Sequence, residues 1–440
     1  MYRPQYQMRE CATWSHTSSG SFSVRYSPNG RSFNVEGPIY IHESSEIFGL
    51  GFLASKVALY FMNLLNPTLH FLVGSVQLLP ICDVIKTPTV RPAVAVGKAD
   101  WDAYEVSQDF EALPLLSPDH RGDMLEGTYA RLRAHWQGMT DEMKCLEQEN
   151  NRIFIDAYGL QDELTPEVPI EEITLTCNPA YRYGVKGTEE ERETRLRADT
   201  MAEFLSYAVG CMFGRYSLDE PGLILANQGE TLADYLARVP EPSFRPDEDN
   251  VIPVLDGDWF ADDIVDRFRK FLRVTFGDEH FRENVAFIEA QIGDIRRYFT
   301  RNFYDDHVKR YKKRPIYWMF ASPKGTFQAL IYMHRYRPDT VSVLLNDYLR
   351  EFIRKLEAER ERLEKLSDDP SATQTQRTRA LKDVSTIARQ IAELEEWERD
   401  VIFPLAQAKI EIDLDDGVKR NYPLFGAALK PIKGLEAADE

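Results

Sequence analysis

Eleven cations crowd one short stretch of this chain. Arg296, Arg297, Arg301, Lys309, Arg310, Lys312, Lys313, Arg314, Lys324, Arg335 and Arg337 meet only Asp305 and Asp306 within 42 residues, a local net charge of +9. The 440-residue chain as a whole carries −18, which leaves −27 on the other 398 residues. Interleaved with the cations are Tyr298, Phe299, Phe303, Tyr304, Tyr311, Tyr317, Trp318, Tyr332 and Tyr336. Lysine and arginine on a phosphate backbone release condensed counterions and gain affinity without reading sequence, whereas guanidinium groups and aromatic rings can reach base edges or stack. The window is therefore read as a contact for double-stranded DNA, with Tyr317 and Trp318 among its members, and the acidic remainder as a surface that repels DNA elsewhere. A competing reading pairs the cations with the chain's own surplus carboxylates, the nearest set being Asp247, Glu248, Asp249, Asp256, Asp258, Asp262, Asp263 and Asp266.

Other constellations carry less. Asn178-Pro179-Ala180-Tyr181 departs at its third position from the Asn-Pro-Pro-Tyr loop in which amino-methyltransferases hold a flipped base, so a turn is expected there. Pro118-Asp119 with Glu142-Met143-Lys144 mimics a Mg²⁺-dependent nuclease motif, but that motif projects its carboxylates from neighbouring strands and Glu142 lies in a helical pattern. The carboxylates from Asp247 to Asp266 are read as solvated caps and loop residues rather than a metal site. Eight histidines show no metal-ligand spacing; His307 and His334 are read as DNA-proximal or structural. No nucleophile–base arrangement emerges from spacing, so no catalytic, cofactor-binding or metal-ligating residue is assigned.

These residues need elements to hold them. With 43% hydrophobic and 12% aromatic residues the chain has core enough for two to four domains. The pattern predicts an α+β fold, predominantly helical. Residues 1–95 read as β-rich, with a hairpin whose strands, Ser21–Tyr26 and Ser32–Val35, flank the Asn29-Gly30 turn. A buried helix follows from about Glu46 to Leu65, and then a strand over Leu69–Leu79. Lys56 sits at the centre of that apolar run, where a charge costs about 2.5–3.5 kcal/mol in a membrane, so no membrane span is expected. Residues 96–217 read as a helical spacer, with Ala99-Asp100-Trp101-Asp102 resembling a helix start and long helices over 122–154 and 202–213. Residues 218–342 form a mixed α/β region carrying the basic window. In 343–440, Leu345, Leu349, Phe352, Leu356 and Leu363, then Leu381, Val384, Ala388, Ile391 and Leu394, predict an antiparallel helical hairpin broken at Ser367-Asp368-Asp369-Pro370. Five dispersed cysteines without a CxxC pair, and no signal-peptide pattern at the start, fit a reducing cytoplasm.

Several short motifs together resemble a known family. Gly51-Phe52-Leu53-Ala54-Ser55-Lys56-Val57-Ala58, with Leu65-Asn66-Pro67-Thr68 and Val73-Gly74-Ser75-Val76, is similar to the closing part of a target-recognition region in adenine-specific DNA methyltransferases. Lys98-Ala99-Asp100-Trp101-Asp102, Asn151-Arg152-Ile153-Phe154-Ile155-Asp156, the run from Tyr207 to Tyr216, Lys313-Arg314-Pro315-Ile316-Tyr317-Trp318 and the run from Asp413 to Lys419 resemble the PglX-type methyltransferases of BREX bacteriophage-exclusion systems. The resemblance implies S-adenosylmethionine as cofactor of the full enzyme and adenine in duplex DNA as its substrate. It places this chain as the recognition and C-terminal half, because the Gly-rich cofactor motif and Asn-Pro-Pro-Tyr loop expected upstream are not in this sequence. A separate catalytic half and other BREX proteins are then the implied partners, with no cofactor in this chain.

Overall fold

In the computed structural model, which describes residues 6, 8–41, 48–82 and 87–435, the chain divides into two units. One comprises residues 1–103 and 131–196, the other 104–130 and 197–440. The architecture is α+β and predominantly helical, as expected. Among the described residues no helix is long and apolar enough to cross a membrane.

In the first unit, Cys11–Trp14 (β1) pairs antiparallel with Val24–Ser27 (β2) on one side and Ile39–Tyr40 (β3) on the other. This corrects the expected hairpin. Gly30 does turn the chain at φ +86°, but Ser32–Val35 forms no strand, and Val35 is 80% exposed with nothing to bury against a partner. The apolar run expected as one helix is two, Phe48–Leu53 (α1) and Lys56–Leu65 (α2); Glu46 and Ile47 lie outside the described residues. Ser55 makes the division: its hydroxyl donates to the Phe52 carbonyl at 2.7 Å and accepts from the Ala58 N–H at 3.3 Å, closing one helix and capping the next. Lys56 opens α2 and directs its ammonium to the Glu167 carbonyl.

The strand expected over Leu69–Leu79 is instead a short helix, Val73–Gln77 (α3). Buried Phe71, Val76 and Leu79 are five and three residues apart, odd spacings that do not fit the two-residue period of a strand; of the three only Val76 lies within α3. Ala99–Asp102 ends a helix, Val90–Asp102 (α4), rather than starting one. Its buried Asp100 carboxylate accepts from the Thr176 N–H at 2.6 Å and the Cys177 N–H at 2.9 Å, pinning a loop 76 residues away. Leu125–Tyr158 (α5) covers the long charged helix expected over 122–154. On it, Asn151 accepts from the Lys56 N–H at 2.9 Å and donates to the Pro166 carbonyl at 3.3 Å. Pro179–Tyr183 (α6) follows, and then Glu189–Phe213 (α7), whose residues from 197 on belong to the second unit. Trp14, Phe22, Phe52, Phe71 and Phe154 fill this unit's core.

The second unit carries Leu232–Arg238 (α8), Val251–Pro253 (β4), Ile264–Phe276 (α9), Phe281–Ile292 (α10), Ile295–Arg301 (α11), Phe303–Arg310 (α12), Tyr317–Ala321 (β5) and Gln328–Tyr332 (β6). The strands form an antiparallel sheet in the order β4-β6-β5. Thr340–Val343 (α13) leads through a π-helical stretch, Leu344–Leu349, into Arg350–Asp368 (α14), which packs against Gln374–Trp397 (α15) as the expected hairpin. Its first stripe is buried as read, from Leu345 to Leu363. Its second is corrected: Leu381 is 59% exposed and Ala388 is exposed, while Ala380, Ile387, Ile391, Leu394 and Trp397 are buried. Trp397 decides the register, because its bulk is sunk in the core and its ring N–H donates to the Ala427 carbonyl at 3.3 Å.

Candidate nucleic-acid interface

The basic window spans α11, α12, the turn after them, and the β5–β6 ribbon. Asp294 starts α11 by accepting the Arg297 N–H at 2.7 Å. Both helices turn aromatic faces inward: Tyr298, Phe299, Phe303 and Tyr304 are all buried, as is His307. Their outer faces leave Arg297, Arg301 and Lys309 exposed.

Three of the eleven cations are committed to the interior. Arg296 donates to the carbonyls of Leu255 at 2.8 Å and Gly257 at 3.0 Å, to Asp263 at 3.1 Å, and to Asp258. Arg310 meets Glu105 at 3.1 Å, whose carboxylate also accepts from the Ser206 hydroxyl at 2.7 Å. Arg335 is buried and donates to the carbonyls of Phe213 at 3.2 Å and Glu248 at 3.1 Å. Desolvation lowers its affinity for a proton, an effect countered by Asp247 nearby.

The acidic stretch is likewise engaged. Asp263 caps α9, the Tyr348 hydroxyl lies between Asp249 at 2.8 Å and Asp262 at 2.7 Å, and Asp247 lies 3.5 Å from Arg267. Burial pushes the Asp247 carboxyl above the ordinary carboxylate range, partly opposed by Arg267. Among the described residues no cluster of three or more His, Cys, Asp or Glu is arranged to hold a metal.

The turn after α12 is unusual in its backbone. Lys312 at φ +50° and Lys313 at φ +64° are consecutive left-handed residues without being glycine, a conformation that costs about 1–2 kcal/mol each. The surroundings hold it. The Lys313 N–H donates to the Val308 carbonyl at 2.8 Å and the Arg314 N–H to the Tyr311 carbonyl at 2.9 Å. Beneath them, the His307 Nε2 accepts from the N–H groups of Ile316 at 3.1 Å and Tyr317 at 3.2 Å. Burial, with Arg310 and Arg215 nearby, holds the His307 imidazole well below its usual pKa, so the ring is neutral and Nε2 can accept. Lys312, Lys313 and Arg314 are exposed as a result, with the Lys313 ammonium 3.4 Å from the Gly434 carbonyl.

At the β5–β6 turn, Glu393 of α15 accepts the Lys324 N–H at 2.7 Å and the Thr326 hydroxyl at 2.6 Å, and the Lys324 side chain faces solvent. Arg337 is exposed and pairs with Asp339 at 3.1 Å. Tyr317 and Trp318 are each 1% exposed, and Trp318 donates its ring N–H to the Pro315 carbonyl at 3.0 Å. Neither presents a ring face on which a base could stack. The surface set is thus Arg297, Arg301, Lys309, Lys312, Lys313, Arg314, Lys324 and Arg337. His307, read from the sequence as DNA-proximal or structural, holds it from below; Glu105 escaped the sequence reading, because it lies 205 residues from Arg310 and no local pattern connects them.

The described residues do not fit S-adenosylmethionine. Both sheets are three-stranded and antiparallel, so neither offers the parallel strand, Gly-rich turn and helix that cradle such a cofactor. Asn178 is spent on structure: it caps α6 by accepting the Ala180 N–H at 3.1 Å and donates to the carbonyls of Ile170 at 2.7 Å and Ile173 at 2.9 Å. Glu142 is exposed on α5, away from any strand.

No family model matches the chain. Two proteins do. It is 34% identical over 97% of its length to the adenine-specific methyltransferase BrxX of Escherichia coli O9:H4 (strain HS). It is also 34% identical over 99% of its length to the adenine-specific methyltransferase PglX of Lacticaseibacillus casei (strain Zhang). The chain is a relative of the BrxX and PglX adenine-specific methyltransferases. It spans 36% of the length of each. The motifs that carry the resemblance are largely structural in this chain: Asp100 and Asn151 pin loops, and Gly210 leaves room where a Cβ would lie 2.4 Å from the Tyr216 ring.

Proposed function

We propose that this chain is the DNA-recognition portion of a PglX-type adenine-specific methyltransferase, the C-terminal part of a larger enzyme of a BREX defence system in the cytoplasm. It holds duplex DNA while a catalytic portion, which binds S-adenosylmethionine, transfers the methyl group to an adenine amino group. The observation that carries the reading is the cation surface of α11, α12 and the turn at Lys312–Arg314, set in a chain whose remaining residues are strongly acidic. Strained backbone that the surrounding structure holds in place tends to mark functional positions, and here the strain presents two lysines to solvent. Lysines such as these act on phosphates as point charges; Arg297, Arg301 and Arg314 have the planar donor fork that base edges require.

Electrophoretic mobility shift with a duplex at about 50 and 200 mM salt tests the proposal. The chain should bind at low salt and weaken steeply, and Lys309→Glu, Lys312→Glu and Arg314→Glu together should reduce affinity at least tenfold without lowering the thermal midpoint. Duplex binding that ignores both salt and these substitutions would sink the reading. So would methyl transfer from labelled S-adenosylmethionine by the purified chain alone.

A further inference from the structure

From Val57 to Cys82 twenty-six residues pass without a Lys, Arg, Asp or Glu, in a chain that is 28% charged. Part of this run is core, including Met62, Phe71, Val76 and Leu79. The rest is not. Leu64 is 66% exposed, Leu65 47%, Leu69 58%, Leu72 48%, Val73 44% and Leu78 70%. These six side chains sit on the end of α2, the link to α3, and the two ends of α3, within fifteen residues. Single exposed apolar residues are ordinary, but six clustered in an uncharged segment are the mark of an interaction surface, whose buried centre is depleted of charge.

The backbone beneath them is fixed in advance. The Phe71 N–H donates to the His16 carbonyl at 2.7 Å, the Trp14 ring N–H to the Phe71 carbonyl at 2.9 Å, and the Ser18 N–H to the Leu69 carbonyl at 3.0 Å. A partner would not have to pay the ordering cost that a loose loop imposes. Duplex DNA does not fit this surface, which offers no cation. A second copy fits poorly, since two chains of −18 repel one another. What remains is a polypeptide face as apolar as this one, and the relatives carry nearly two thirds of their length outside the span this chain matches.

We propose that Leu64, Leu65, Leu69, Leu72, Val73 and Leu78 form the docking surface for that remaining portion of a methyltransferase. The inference rests on the reading of this chain as one part of a larger enzyme, but not on its contact with DNA. The test mixes the purified full chain with the segments of the E. coli and L. casei relatives that lie outside the matched span, and follows complex formation by sedimentation and calorimetry. The expected result is a one-to-one complex that Leu72→Asp with Leu78→Asp weakens at least tenfold, while the thermal midpoint of the chain and its duplex mobility shift stay unchanged. Three results would each overturn the proposal: no complex with either segment, a complex indifferent to the double substitution, or self-association of the chain through this surface. A lost mobility shift with an intact complex would instead strike the DNA reading alone.

Discussion

His307 does at the residue scale what no exposed cation can: it fixes where the basic turn begins. Its Nε2 is the acceptor for two backbone N–H groups, and replacing the ring with His307→Ala removes the partner of both, the buried one of Tyr317 and the part-buried one of Ile316. A cost of about 2–4 kcal/mol is expected at pH 7.5, read from urea unfolding. The same ring makes the chain acid-sensitive. A base whose folded pKa lies below its unfolded value stabilises the fold fully above about pH 6.5, and that contribution fades as pH falls toward the folded value. Between pH 7.5 and 5 the gap between the native chain and the variant should therefore shrink. Comparison with the variant cancels the opposite trend of Asp247 and Glu147, whose carboxyls burial raises and which gain stability as pH falls. An equal gap at both pH values would contradict the assigned hydrogen bonds. His334, pushed down to about 4 by burial, contributes an acid sensitivity of the same sign.

At the scale of elements, the helical hairpin separates what periodicity reveals from what packing decides. Leu345 to Leu363 repeat at helical spacing and are buried, so the first helix was legible outright. For α15 the spacing located the helix but chose the wrong edge of its apolar stripe, because Leu381 and Ala380 are both apolar and only the seat of Trp397 distinguishes them. Leu394→Ala is expected to cost about 2–5 kcal/mol and Leu381→Ala less than about 0.5 kcal/mol, measured as shifts in denaturant midpoint. Comparable losses at the two positions would refute the rotated seam. The N-terminal region was harder to read for a similar reason. Ser21–Tyr26 was placed as a strand and overlaps the observed Val24–Ser27, yet the partner is Cys11–Trp14, and a single sequence contains no signal for which neighbour a short strand selects. In the basic window charge and location were legible, while burial was not: Arg296 and Arg310 read like their exposed neighbours until Asp263 and Glu105 are brought beside them.

For the whole molecule, the DNA contact we propose predicts a response of affinity to salt. If four to six of the exposed cations meet phosphates, log K should fall against log salt with a slope of about −4 to −5. Charge reversal at Lys309, Lys312 and Arg314 should flatten that slope by about 3, and an unchanged slope would place the phosphate contacts elsewhere.

The interleaving of the two units has a consequence for inheritance. Residues 131–196 of the first unit interrupt the second, and residues 104–130 of the second interrupt the first. No single crossover in the gene can transplant either unit by itself: a breakpoint at 103/104 separates 131–196 from the rest of the first unit, and one at 196/197 separates 104–130 from the rest of the second. Recombination among relatives must then use paired breakpoints or carry the intervening residues along, which favours exchanging this region as one block.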